Sequence, residues 1–486
     1  MSEGGEESTK KYKAVAFGAL FQGSRFAIGN QATSVLRHGA YHYLGPVLVL
    51  LAASFRPALA QNSSPLDQQV AELRTLVQRL QARVDELETR LKAAPATQPV
   101  ASVTPASAAR PPIALNGTTV NFLIDGYYGY NFNAPIGRAN RLRAYDVTSN
   151  NFSLNQAALI LDHPANPGAG QRWGARLDLQ WGQATQTLQG NPANEPRPEI
   201  YRNIFQAYGT YVVPLGKGVN VDFGKWASSL GIEGNYTKDQ MNYSRSYWYS
   251  FLPFYHMGAR VSYQVNDHLG VNYWITNGTQ QTEAFNGFKD QFGGVVLHPR
   301  RNISWTANYY FGQEHPDVVY YLYGPAPEPN PPTNQGVPFV PIANPPTGKL
   351  HIFDSYGTWQ ATPALTFALN GDYVIQRLYT YSAPRHVDGG AIYAQYQFTP
   401  KFALAGRAEY LSDRGGLFSG VDQALKETTF TASYGFGEGF LMRGEWRYDF
   451  SNQAYFYTST PGILKKSQTT ATLGLIWWFG GKQGAW

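Results

Sequence analysis

From residue 113 onward the chain repeats one pattern: a stretch of about ten residues alternating apolar and polar, closed by a turn. Met442-Arg443-Gly444-Glu445-Trp446-Arg447-Tyr448-Asp449-Phe450 shows it most clearly, with apolar residues or glycine at even positions and charge at every odd one. Side chains on a strand point alternately to opposite faces, so one face is greasy and the other is a ladder of Arg, Glu, Arg and Asp. The alternation predicts sixteen strands, near 118–132, 153–163, 171–184, 201–213, 219–228, 254–265, 269–277, 288–298, 302–313, 349–361, 365–379, 387–398, 402–412, 426–436, 440–450 and 467–479. Connections after even-numbered strands are mostly tight, such as Asn266-Asp267-His268 and Thr399-Pro400-Lys401. Those after odd-numbered strands are generally longer, including 133–152, 185–200, 229–253, 314–348 and 451–466.

A soluble sandwich would bury the greasy faces and leave the charges in bulk water. The same pattern repeated around a closed sheet, with bands of Tyr and Trp, describes a transmembrane antiparallel up-and-down β-barrel, apolar towards lipid and polar towards the lumen. Closure is required because hydrocarbon cannot hydrogen-bond an open strand edge. Short turns mark the periplasmic end of such barrels and long loops the outer end, so both barrel termini are expected in the periplasm. Parity sends Arg172, Arg176 and Asp178 of the third strand, Asp222 of the fifth and Arg260 of the sixth into the lumen. It does the same for Arg407 and Glu409 of the thirteenth, and for Arg443, Glu445, Arg447 and Asp449 of the fifteenth. An Arg on the lipid face at mid-bilayer would cost about 2–4 kcal/mol, so the assignment of faces is not arbitrary.

Composition supports this class. Among 486 residues there are 33 Tyr and 11 Trp, the side chains that sit half in lipid and half among headgroups. No Cys is present, which excludes a lipid-anchoring Cys, thiolate metal sites and disulfides. Of the net charge of +6, half lies in residues 1–60; the remainder carries 33 basic and 30 acidic residues, a balance that implies no nucleic-acid partner. The nine His are scattered without metal-ligand spacing, and no cofactor is expected.

The N-terminal part reads differently. Residues 44–55 are an apolar run preceded by Arg37 and His38 and followed by Ala58-Leu59-Ala60, which predicts a signal peptide within 1–60, cleaved after Ala60. Residues 1–34 make an overlong leader, and a translation start near 35 would give one of ordinary length. Leu66, Val70, Leu73, Val77, Leu80, Val84, Leu87 and Leu91 follow a 4,3 spacing, a heptad seam that makes 61–92 an α-helical coiled-coil stalk. Val at one seam position and Leu at the other favours two strands by the packing rule. Residues 93–112 are rich in Pro, Ala, Ser and Thr and form a linker to the barrel at 113–486.

The third long loop, 229–253, carries Glu233, Lys238, Asp239 and Arg245 among six aromatic residues. A loop so rich in rings needs a surface to pack on, and the barrel interior is the nearest one. With it in view, the chain resembles the OmpL-like family of β-barrel porins. The resemblance rests on Asp125-Gly126-Tyr127-Tyr128, Asn151-Phe152-Ser153-Leu154-Asn155, Tyr243-Ser244-Arg245-Ser246-Tyr247 and Pro253-Phe254-Tyr255-His256-Met257-Gly258-Ala259-Arg260, and covers most of 113–486. It implies an outer-membrane channel. In general porins the third loop folds in and narrows the bore, and the same is expected here, with Arg245 facing carboxylates of the opposite wall. Porins of this size are commonly trimers, and a homotrimer is expected against the two strands that the stalk favours. The stalk itself is similar to the N-terminal coiled coils of some sugar porins.

The function expected is passive diffusion of small hydrophilic solutes or ions, steered by rings of charge. The same residues paired off and filling the lumen would make a plugged scaffold, and the stalk a tether contacting the cell wall. A barrel hydrolase would need a nucleophile and base near the bilayer edge; His256 and Ser262, both inward and six residues apart, make no convincing pair.

Overall fold

The computed structural model describes residues 117–188, 198–320 and 339–480 except 438, together with Ala114, Leu115, Glu195 and helical residues at 78–79 and 81–82. The leader, the cleavage point after Ala60, the heptad seam and the linker all lie outside the described residues. Sixteen strands form the barrel: β1 Thr118–Asn131, β2 Asn151–His163, β3 Trp173–Trp181, β4 Ile204–Val213, β5 Val219–Ala227, β6 Tyr255–Asn266, β7 Leu269–Thr276 and β8 Asp290–Arg300. They continue as β9 Ile303–Gly312, β10 Leu350–Gln360, β11 Leu365–Gln376, β12 Arg385–Thr399, β13 Phe402–Arg414, β14 Gln423–Gly437, β15 Phe440–Ser451 and β16 Ser467–Gly480. Each pairs antiparallel with the next, and β16 returns to β1 in the register Tyr127↔Gly474 and Asn121↔Gly480, so the sheet is closed. All sixteen predicted strands are present, their ends within three residues of those expected.

Exposure follows parity. On β15, Arg443, Glu445, Arg447 and Asp449 are buried, whereas Trp446 between them is 41% exposed. The outer surface shows Trp173, Trp181, Phe223, Phe430 and Leu473, and outward rings on neighbouring strands stack, as Phe122 on Phe479 at 5.3 Å. That is the surface a lipid tail requires: apolar side chains outside and every strand edge paired.

Inside, the wall divides by height. At the long-loop ends of β10 to β14, Leu350, Ile352, Val374, Val387, Leu411 and Leu425 point inward and pack with Trp248 and Leu252 of the segment between β5 and β6. These positions depart from a uniformly polar lining. They are core positions, because chain from the connections fills the space beside them and removes the water that would otherwise demand polar side chains.

Candidate functional site in the bore

Residues 228–254 join β5 to β6, the third long connection. Their backbone holds a turn at Thr237–Asp239 and a short helix, Tyr247–Phe251, whose N-cap Ser246 accepts from the Tyr249 N–H at 2.9 Å. Many of the remaining polar groups of the segment are matched to inward residues of the wall. Wall carboxylates take its N–H groups: Glu445 accepts from Tyr243 at 2.6 Å and Ser244 at 3.0 Å, Glu409 from Tyr247 at 2.8 Å, and Asp354 from Gly231 at 3.0 Å. Wall guanidiniums take its carbonyls: Arg443 donates to Thr237 at 2.7 Å, to Asn242 at 3.1 Å and to Gln240; Arg407 donates to Ser244 at 2.8 Å and Arg447 to Arg245 at 2.5 Å. Charge-assisted bonds of this kind are roughly twice as strong as neutral ones, and here most of the partners are buried. Side-chain hydroxyls add to them: Tyr243 and Thr237 donate to Asp125 at 2.8 and 2.7 Å, and Tyr236 to Asp178 at 2.6 Å. The Tyr243 ring lies over Gly474 of β16, where a side chain would run into it.

The charges also pair with each other. Arg407 bonds Glu427 at 2.6 Å and Glu233 of the segment at 2.8 Å; Arg447 bonds Asp449 at 2.9 Å and Glu427 at 3.3 Å. Glu427 was not anticipated as a member of this network, although its inward parity on β14 was legible. Arg143 was also missed. It lies between β1 and β2, in the run Arg141-Leu142-Arg143-Ala144-Tyr145-Asp146, and bonds Asp449 at 2.7 Å and Asp146 at 3.2 Å. Burial pushes the Asp146 carboxyl above its ordinary range, against the pull of Arg143. Tyr145 next to it donates to Asn235 at 2.5 Å, and burial pushes the hydroxyl of its neighbour Tyr249 up to about 12.

Arg245 departs from expectation. Its guanidinium does not point to wall carboxylates but turns back onto its own segment, donating to Gly234, Tyr243 and Asn235 carbonyls at 3.1, 2.9 and 2.9 Å, beneath the Tyr145 ring at 4.5 Å. A guanidinium has five donors in a fixed fork, and the loop's own carbonyls fit that fork at shorter reach. Lys238 and Asp239 bond each other at 2.5 Å, both buried.

The structure thus gathers Arg407, Glu409, Arg443, Glu445, Arg447 and Asp449 around the 228–254 segment with Glu233. Arg172, Asp222 and Arg260 are elsewhere on the wall. Arg172 donates to the Val212 carbonyl at 3.3 Å, and Arg260 bonds Asp222 at 2.6 Å with 22% of its side chain exposed. Arg176 bonds Asp178 at 2.9 Å. His256 Nε2 lies 3.1 Å from Ser228 Oγ and not beside Ser262. Among the described residues no three His, Cys, Asp or Glu side chains form a metal cluster.

A family model described as "Putative beta-barrel porin-2, OmpL-like" matches residues 117–479, the span from β1 to the end of β16. The chain belongs to this family. As an OmpL-like porin it is an outer-membrane β-barrel. No curated protein matches the chain. Among solved structures the porin is similar to OmpT, an outer membrane protein of Vibrio cholerae, at 10% identity over 76% of this chain and 99% of that one, TM-score 0.45. It is similar also to the outer membrane channel DcaP of Acinetobacter baumannii, at 8% identity over 74% and 97%, TM-score 0.46. A third is an anion-selective porin from Comamonas acidovorans, at 8% over 74% and 99%, TM-score 0.47.

Proposed function

We propose that this barrel lets small hydrophilic solutes or ions diffuse passively across the outer membrane, and that residues 229–253 fold into the bore as its constriction. One observation carries the reading: wall carboxylates Glu445 and Glu409 hold main-chain N–H groups of that segment, while the wall bearing Arg260 and Asp222 keeps partial exposure. A loop tied to the wall at β1 to β3, β10, β11 and β13 to β15 narrows the passage and leaves β4 to β6 as its open side. Arg172, Asp222 and Arg260 then line the free passage, and the Arg176–Asp178 pair stands at its edge, where Asp178 accepts from Tyr236. Arg407, Glu409, Arg443, Glu445, Arg447 and Asp449 line the wall against which the loop rests. Opposite charges across the gap give a transverse field in which polar solutes exchange water contacts for wall contacts.

A second reading has its own support. Arg407, Glu427 and Asp449 are sealed from solvent, and an apolar cluster reaches from Trp226 through Trp248 to Leu425, as a plugged scaffold would have. Stepwise conductance of the purified protein in planar bilayers would support the porin; silent insertions would support the scaffold. In the same proposal residues 61–92 are a periplasmic coiled-coil stalk, released by cleavage after Ala60 and joined through 93–112. The barrel assembles as a homo-oligomer, a trimer in preference to a dimer, and the stalk has room to contact the cell wall.

A further inference from the structure

The part of the wall around the partly exposed Arg260 has a construction of its own. One row of inward positions, fixed by strand register, runs Thr210, Asp222, Arg260 and Trp274 across β4 to β7. Asp222 accepts the Arg260 Nε–H at 2.6 Å on one carboxylate oxygen and the Thr210 hydroxyl at 2.5 Å on the other. The terminal nitrogens of Arg260 have no partner among the described residues. Its guanidinium carbon lies 5.3, 5.1 and 5.7 Å from the ring centres of Tyr208, Trp226 and Trp274. The two indoles are buried, meet edge to face at 5.7 Å, and neither Nε1–H has a hydrogen-bond partner.

The adjacent row is built from the smallest residues. Its inward positions on β5 and β6 are Gly224 and Gly258, and any side chain on Gly258 would strike the Ile275 carbonyl. Phe292 stacks on Trp274 at 3.9 Å, so one face of that ring is covered.

The charged group here with capacity to spare is a donor, the Arg260 guanidinium. A carboxylate can take two of its N–H groups at once in a charge-assisted pair, which a neutral sugar hydroxyl cannot do. An anion needs donors only, and leaving a buried N–H unbonded is costly. Trp226 and Trp274 belong to an apolar cluster that also takes in Leu230, Trp248 and Leu252 of the loop, so apolar surface adjoins the guanidinium. Resting on the porin reading, we propose that this row is a binding station for organic anions, a carboxylate on a small apolar or aromatic body. Arg260 holds the carboxylate through its terminal nitrogens, and the indole N–H groups of Trp226 and Trp274 are the further donors. Binding at such a station must stay weak enough for release if solute is to pass.

The test uses the purified full chain in planar bilayers, with benzoate as probe and glucose as the neutral control. In a salt gradient the wild type is expected to prefer chloride, and benzoate to block the chloride current where glucose does not. Arg260→Gln should weaken the block by about tenfold or more, the loss of one charge-assisted bond, and shift the reversal potential towards cations. Asp222→Asn should shift it towards anions. Trp226→Phe or Trp274→Phe should weaken the block about two- to fivefold with the reversal potential unchanged. Where Arg260→Gln alone does not assemble, the double variant Arg260→Gln, Asp222→Asn keeps a neutral pair and carries the same expectation for the benzoate block, with the reversal potential close to that of the wild type. Equal block in wild type and variants, or block by glucose as strong as by benzoate, would overturn the station while leaving the porin intact. A wild type without conductance would overturn the porin reading, and this inference with it.

Discussion

The two sides of the bore began from the same kind of sequence and met different fates. On β13 to β15, inward charges are completely enclosed: Arg407, Glu427 and Arg447 pair with each other and with the backbone of residues 228–254. On β5 and β6, inward Asp222 and Arg260 form a simple pair with one partner part-exposed. The lesson is that an alternating charge on a barrel strand has no fixed role. Where a loop supplies complementary N–H and carbonyl groups the charge becomes an anchor; where none does, it pairs with a neighbour on the wall and keeps some exposure.

The sharpest way to break this comparison is Arg407→Ala. It strips Glu427 and Glu233 of a buried partner, and the expected loss is about 3–5 kcal/mol of stability, read from unfolding in lipid. Arg172→Ala, which gives up one bond to a carbonyl at 3.3 Å, should cost no more than about 1 kcal/mol. Equal costs would erase the distinction between the two sides.

Next in size is Glu445→Ala, which releases the N–H groups of Tyr243 and Ser244. A loss of about 2–3 kcal/mol is expected, with larger and noisier single-channel currents as the segment loosens. Unchanged currents would mean that the segment does not form the constriction. Arg245→Ala should raise conductance less, at a cost of about 1–2 kcal/mol, and leave ion preference alone because this guanidinium serves its own loop. A shift towards cations would instead place Arg245 in the solute's path.

The smallest effect concerns the connections at the long-loop end. Burial and the neighbouring Asp290 carboxylate push the Glu314 carboxyl well above its usual range, and Glu314 accepts from Thr279 at 3.0 Å and Gln281 at 2.9 Å. A carboxyl raised in the folded state favours folding below its ordinary pKa and loses that contribution as pH rises through the folded value. Proteolysis of residues 277–289 should therefore accelerate as pH rises from about 4.5, and Glu314→Gln should flatten the dependence. A wild-type rate independent of pH would remove the carboxyl pair from the account.

The barrel was legible because its signal is local. A period of two survives in any ten residues, and it located β12 and β14 even where their ends ran two or three residues past the expected ones. Inward charges were legible for the same reason, as on β15. Their partners were not. Arg443 bonds three main-chain carbonyls more than two hundred residues away, and Arg143 comes from a connection with no periodicity at all. Inward Leu350 and Ile352 look like errors of alternation until Trp248 and Leu252 are seen beside them. Arg245 was misjudged because residue type reveals capacity for bonding, whereas direction depends on a loop backbone that leaves no trace in the spacing.

The grip on residues 228–254 is largely a grip on main chain. Tyr243, Ser244 and Tyr247 are held by their amides, Thr237, Gln240 and Asn242 by their carbonyls. Side chains of the same residues reinforce the clasp, Tyr243 and Thr237 on Asp125, Tyr247 on Asp449 and Asn242 on Thr431. Evolution, or an engineer, that redecorates the eyelet for a new cargo must therefore spare these hinges of the clasp and work on the residues between them.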